Sequence, residues 1–205
     1  MEQLHKVINH LSEEFNKEWR NLVLHDPVHP PDDFKTVDRR FDADRLVYFM
    51  LDHLNPVALI QVALYNEMPK SAREIWTDPV SEGPFNFAVF YSVFKLPDLP
   101  PLKGLAENLI YAAAHSVKEL HPSITRFVTL SPIPTLAKNL PEGVSKEEVW
   151  EYVSKVRDPV GRFHTNNGAN PWTVWQGADF AENRKKESYG WMASYEYQVV
   201  DGAPT

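Results

Sequence analysis

The sequence predicts an α+β domain, with helices around a largely antiparallel sheet. Three observations carry this. Strand-forming runs come first, as RLVYFML (Arg45–Leu51), VALIQVALY (Val57–Tyr65) and FNFAVFYSVF (Phe85–Phe94). A strand–loop–helix–strand passage follows, from Phe85 to Leu130. Strand-like residues then return in SYGWMASYEYQVV, Ser188–Val200.

Taken in order, residues 2–24 place Leu4, Val7, Ile8, Leu11, Phe15, Trp19 and Leu22 at three-four spacing, which predicts one amphipathic helix. HDPVHPPDD (His25–Asp33) breaks it with three prolines, so residues 1–30 read as a helical arm and connector, and 31–205 as the main domain. Arg45–Leu51 and Val57–Tyr65 predict a hairpin turning at Asn55-Pro56. The continuous apolarity of Phe85–Phe94 predicts a strand buried on both faces. After the Pro-rich KLPDLPPLKG, a helix is predicted over Leu105–Leu120, closed by His121-Pro122. Ile124–Leu130 is the next strand, and Ser145 with Glu148 forms a capping box opening a short helix. GRFHTNNGANPWTVW (Gly161–Trp175) reads as a hairpin with Asn-Gly at its turn.

Composition narrows the function. Of the 205 residues, 43% are hydrophobic and 24% charged, which suits one soluble domain with a substantial core. A net charge of −7 argues against nucleic acid and against a polybasic membrane patch, although a local basic cluster such as Arg184–Lys186 could still meet a phosphate. The absence of cysteine excludes disulfides, thiolate catalysis and cysteine-based zinc sites. MEQLHKVINH lacks an apolar signal core and no run is long enough to span a bilayer, so a cytoplasmic protein is expected.

Two places suggest chemistry. In FVTLSPIPT (Phe127–Thr135), proline lacks an N–H donor and fixes φ, so the ladder stops with Ser131 at its mouth. A capping serine is the plainer reading of that residue alone, and no Gly-x-Ser-x-Gly elbow surrounds it. The step from the Pro-rich loop through Lys103-Gly104 into the helix at Leu105 would present unpaired N–H groups to a pyrophosphate. An ordinary strand–helix connection is the plainer reading of the residues alone, since no GxGxxG or Walker pattern occurs. His164 competes with seven other histidines, and His25 and His29 sit among prolines without a carboxylate-rich metal pattern.

Together the motifs resemble the C-terminal catalytic domain of the malonyl-CoA decarboxylase family, which has a GNAT-like acyltransferase fold. The likeness runs from VHPPDDFKTVDRRFDADRLVYFML through NPVALIQVALYNEMPKSAREI, FAVFYSVFKLPDLPPLKGL, FVTLSPIP and GRFHTNNGA to SYGWMASYEY, most of residues 28–199. It implies Ser131 and His164 as the catalytic pair, Tyr195 as a partner orienting either, and a CoA pyrophosphate loop over Lys103, Gly104, Leu105, Ala106, Glu107 and Asn108. The implied reaction is decarboxylation of a malonyl-type thioester on CoA or on the phosphopantetheine of an acyl carrier protein. It needs no metal and no cofactor beyond the substrate's own carrier, and it leaves a homo-oligomer open. The sequence departs from the family in four ways. Only residues 2–24 are expected to stand for the family's N-terminal helical domain, the serine-to-histidine segment is short, Met192–Tyr195 reads Met-Ala-Ser-Tyr instead of Met-Val-Asn-Tyr, and the glycine-rich helix-opening loop is shortened, with Glu107-Asn108 in place of its smaller residues. Acyl transfer to an amine, and acyl-CoA binding without turnover, are the competing expectations.

Overall fold

The computed structural model describes residues 6–30, 34–97, 99, 104–179 and 181–199. The chain divides into two compact units. The first is drawn from Met1–Asn66, Val80–Thr125 and Val199–Thr205, the second from Glu67–Pro79 and Arg126–Gln198.

In the first unit, β1 (Lys6–Asn9), β2 (Arg45–Asp52), β3 (Asn55–Tyr65) and β4 (Phe87–Lys95) pair antiparallel in sequence order. Both strands of the expected hairpin form, but Asp52 pairs with Asn55, so the turn residues are His53 and Leu54. Asn55-Pro56 opens β3 instead. His53 carries the positive φ of 57° that closes so tight a turn.

Alternation divides the sheet's side chains between two faces. On one face Val47, Phe49, Leu51, Leu59 and Phe94 form a core with Ile8, Val23, Val37 and Leu96, and Phe15, Trp19, Leu22 and Phe41 pack against it. On the other lies α3 (Leu105–Leu120), which buries Leu109, Ile110, Ala113, Ala114 and Val117. Asp26, 2% exposed, anchors the Pro-rich segment by accepting hydrogen bonds from Ser92 Oγ, Gln61 Nε2 and Arg40 Nη1, each at 2.8 Å.

The single helix expected over residues 2–24 does not form. Residues 6–9 are β1, and a 3-10 helix occupies Lys17–His25. Polar side chains between them capture backbone donors that an α-helix would need. Asn9 Oδ1 accepts from Leu11 N–H, Ser12 Oγ from Glu14 N–H, and Asn16 Oδ1 from Glu18 N–H. Part of the apolar stripe still reaches one core, where Ile8 is buried and Phe15, Trp19 and Leu22 pack partly buried against it, while Leu11 is exposed and Leu4 lies outside the described residues.

In the second unit, β8 (Met192–Tyr197) is central. The strand β5 (Arg126–Thr129) and the two-residue β6 (Ser131–Pro132) pair with it antiparallel in one register, and β7 (Ala169–Trp175) pairs with its other edge. Helices α2 (Ala72–Thr77), α4 (Leu136–Asn139), α5 (Lys146–Ser154), α6 (Pro159–Asn166) and α7 (Glu182–Ser188) complete it; α1 (Phe34–Arg39) belongs to the first unit. The capping box at Ser145 and Glu148 is present in both directions.

The hairpin expected over Gly161–Trp175 is corrected here: its first half is helix α6. Asp158 caps that helix by accepting from Val160 N–H at 2.8 Å, and Pro159 occupies its first turn, where its missing N–H costs nothing. Asn167, at φ −102°, caps the helix, and Gly168 follows in the left-handed conformation at φ 89°, so the pair ends the helix rather than turning a hairpin.

Candidate active site

Ser131 is held by backbone register. It pairs with Ala193 of β8, and Pro132 pairs with Met192. Thr129 Oγ1 accepts Tyr195 N–H at 3.1 Å where the ladder is interrupted between β5 and β6. The far end of the Ser-Pro-Ile-Pro-Thr loop is fixed by Asp158. Its Oδ2 accepts from Thr135 N at 3.0 Å and from Thr135 Oγ1 at 2.5 Å, while Tyr152 Oη lies 2.8 Å from the same hydroxyl. Asp158 therefore does two jobs: it starts α6 and ties that helix to the loop carrying Ser131.

One and a half turns beyond this cap, α6 places His164 inward, 7% exposed. Its Nε2 lies 2.9 Å from Ser131 Oγ, and its Nδ1 lies 3.0 Å from Tyr197 Oη. Ser131 Oγ donates to Thr129 Oγ1 at 2.9 Å. Tyr195 stacks on the imidazole, with centroids 4.9 Å apart and planes at 24°. The resulting chain runs Tyr197, His164, Ser131, Thr129, and closes on the backbone N–H of Tyr195.

Burial lowers the His164 pKa to about 3, so the ring is neutral at ordinary pH. Burial raises that of Tyr195, helped by the negative charge of Asp158 and by Tyr152. Both side chains are thus uncharged. The site is a short line of hydroxyls around one neutral imidazole, with the buried Asp158 carboxylate close enough to act on Tyr195.

Ser131 and His164, separated by 33 positions, are therefore in contact, although His164 stands on a helix where a strand was expected. Tyr195 meets His164 ring to ring. The phenol hydrogen-bonded to the imidazole belongs to Tyr197, two residues further along the same face of β8. Thr129, Asp158 and Tyr197 were not singled out from the sequence. The signal for Asp158 was the Asp-Pro pair, a helix-start pattern. Tyr197 was signalled only by its i+2 relation to Tyr195.

Of the expected pyrophosphate loop, Gly104 precedes α3 with φ 72°, and Leu105, Ala106, Glu107 and Asn108 form its first turn. Lys103 lies outside the described residues. Asn108 N donates to Gly104 O at 2.9 Å, closing that turn and leaving the preceding N–H groups outside the helical pattern. Among the described residues no three His, Cys, Asp or Glu side chains gather into a metal-holding group, and no helix is long and apolar enough to cross a membrane.

Residues 19–153 match the family model for the malonyl-CoA decarboxylase C-terminal domain. That stretch includes Ser131 and stops short of His164. The structure of malonyl-CoA decarboxylase from Rhodopseudomonas palustris is similar, with a TM-score of 0.75 and 21% identity over 96% of this chain and 60% of its own. The loading GNATL domain of CurA from Lyngbya majuscula gives a TM-score of 0.67 and 15% identity over 95% of this chain and 98% of its own. The GphF GNAT-like decarboxylase, solved with isobutyryl-CoA, gives 0.67 and 12% over 95% and 100%. At these identities the likeness establishes the fold, which is α+β and GNAT-like. The chain spans about 60% of the length of the Rhodopseudomonas protein and nearly all of the other two. None of the curated proteins compared matches the chain.

Proposed function

Since the chain belongs to the malonyl-CoA decarboxylase C-terminal domain family, we propose that it removes carbon dioxide from a malonyl-type acyl thioester. His164 is the proton donor and Ser131 its partner at the substrate. The observation that carries this is the 2.9 Å contact between Ser131 Oγ and His164 Nε2, both of them buried.

The chemistry suits such a site. A malonyl thioester contains its own electron sink, so loss of carbon dioxide leaves an enolate on the thioester oxygen. The protein has to hold the carboxylate out of the thioester plane, stabilise the oxyanion and deliver a proton to the α-carbon. Each donor placed where that charge develops contributes about 3–4 kcal/mol. Burial around Ser131 and His164 favours the reaction further, because a carboxylate is costly to bury while carbon dioxide is neutral. A neutral histidine fits this scheme. It adds no positive charge that would pair with and stabilise the carboxylate before it leaves.

The start of α3, from Gly104 to Asn108, is our candidate for the carrier's phosphates. Gly104 lets the backbone approach closely, and the exposed N-terminal N–H groups favour an anion. Glu107 puts a negative charge in that first turn, so a phosphopantetheine phosphate is accommodated more readily there than a full pyrophosphate. That supports an acyl carrier protein as a second form of the substrate.

Incubating the purified protein with malonyl and methylmalonyl thioesters, on CoA and on an acyl carrier protein, and reading products by mass tests the reading. Appearance of the chain-shortened thioester with carbon dioxide is expected. Transfer of the acyl group to an added amine without carbon dioxide, or tight binding with no product, would sink it.

A further inference from the structure

The hydroxyls around His164 fix the direction of every hydrogen bond in the site. Ser131 has one hydrogen, and it is directed to Thr129 Oγ1. That oxygen also accepts Tyr195 N–H, so Thr129 is filled as an acceptor from two sides. With the serine hydrogen used, the 2.9 Å contact between Ser131 Oγ and His164 Nε2 needs a hydrogen on Nε2. A neutral imidazole carries one N–H, so Nδ1 is bare, and the hydrogen in its 3.0 Å contact with Tyr197 comes from the phenol. The polarity thus runs from Tyr197 through His164 to Ser131. It is opposite to that of a hydrolase, whose histidine accepts the serine proton.

We propose that Tyr197 is a positioning residue that sets His164 in its Nε2–H tautomer and refills Nδ1 as the Nε2 proton departs. This rests on the decarboxylation reading above. Once carbon dioxide has left, the Ser131 hydroxyl turns from Thr129 to the substrate. Its O–H bond breaks as the α-carbon–hydrogen bond forms. The Nε2–H bond then breaks and Ser131 O–H is restored, while Tyr197 O–H breaks and Nδ1–H forms. The electron pair of the enolate ends in the new C–H bond, and the negative charge passes to the Tyr197 oxygen; Nδ1 then returns its proton to that oxygen while Nε2 takes one from water through Ser131, which restores the starting tautomer and leaves hydroxide. Without a donor at Nδ1, the same transfer would leave an imidazolide, a far stronger base than a phenolate. A neutral histidine therefore needs Tyr197 to act as an acid at all.

Tyr195 has a different part. Its ring, stacked at 4.9 Å, keeps the imidazole plane aimed along the Ser131–Tyr197 line. Tyr195 and Tyr197 lie on one face of β8 because they are two positions apart, so a single strand supplies both the ring support and the Nδ1 partner.

Nitrogen NMR of the histidine rings in the ligand-free protein tests the assignment without any substrate. The wild type should show His164 with Nε2 protonated and Nδ1 bare, and Tyr197→Phe should mix the two tautomers. A wild type protonated at Nδ1, or a Tyr197→Phe variant with the tautomer unchanged, overturns the proposal. If Tyr197→Phe fails to fold, the wild-type spectrum alone decides. Where a thioester is turned over, Tyr197→Phe should lower kcat about a hundredfold with little change in KM. The solvent-deuterium proton inventory should go from curved to linear as the multi-proton relay is lost; a parent-like kcat and a curved inventory in the variant refute the relay. If the tautomer is as stated but no thioester is decarboxylated, the decarboxylation reading fails and the tautomer assignment stands.

Discussion

Tyr195 Oη lies 2.8 Å from the point a β-carbon would occupy on Gly161. Real β-carbons do not approach an oxygen so closely, so the missing side chain one turn before His164 is what admits the Tyr195 ring over the imidazole. In a helix, Gly→Ala ordinarily gains about 1 kcal/mol. Gly161→Ala should instead lose about 1–3 kcal/mol, the usual cost of overpacking. Chemical denaturation measures the sign directly. A stabilised variant with normal turnover would show that Tyr195 moves aside without consequence.

Asp158 joins two pieces of the site and should be the most sensitive residue that does not touch His164. Its cap to Val160 is worth about 1 kcal/mol. Its loss would also leave the Thr135 N–H without its partner, adding about 1–3 kcal/mol. Asp158→Ala should therefore destabilise by about 2–4 kcal/mol. Asp158→Asn keeps an acceptor for one of these groups and should lose less. Equal losses in the two variants, measured by urea titration, would mean that the carboxylate's second oxygen matters little.

These two residues show what was and was not legible in the sequence. The stop at Ser131 was only partly readable: Pro132 was expected to end the ladder there, yet it pairs with Met192 as part of β6, and the interruption falls one residue earlier, at Leu130. The helix at Lys146 was readable because its capping box is a local pattern. The helix carrying His164 was misread because Asn-Gly serves a hairpin turn and a helix end equally well, and only Asp158-Pro159 decides between them. The N-terminal stripe misled for a related reason: its apolar spacing is real, but Asn9, Ser12 and Asn16 take the backbone donors. Thr129 and Tyr197 were invisible because their importance comes from register. Each becomes a hydrogen-bond partner only when β5, β6 and α6 are docked on β8.

One buried histidine, His164, and one half-buried histidine, His10, should make the fold sensitive to acid. Burial lowers His164 to about 3 and His10 to about 4, both below the ordinary value of 6.5. The unfolded chain then binds protons that the folded one refuses. Stability is full above about pH 6.5 and falls as pH drops through the window towards 4 and 3, by up to about 1.4 kcal/mol per pH unit for each histidine. Urea unfolding between pH 7.5 and 4.5 reads this slope. His164→Gln should remove about half of it. A slope unchanged in that variant would show that His164 titrates normally in the folded protein.

The catalytic pair gives the sharpest prediction. Gln at position 164 approximates the shape of the imidazole and keeps an N–H, but cannot take a proton on one side while giving one on the other. His164→Gln should lower turnover by about two to four orders of magnitude, the range for loss of a general acid. Thioester affinity should change little, because the carrier's phosphates lie at the start of α3 in the proposed binding mode. Ser131→Ala should also lower turnover, and the double variant should be far less than multiplicatively worse, since both act on one proton. The pH profile separates this acid from an imidazolium. An imidazolium acid near 6.5 would lose its proton as pH rises and carry the rate down between pH 6 and 8. A neutral His164 has already lost that proton, so kcat should stay level across the interval. A tenfold fall there, or parent-like turnover in both single variants with normal folding, would remove His164 and Ser131 from the mechanism as written.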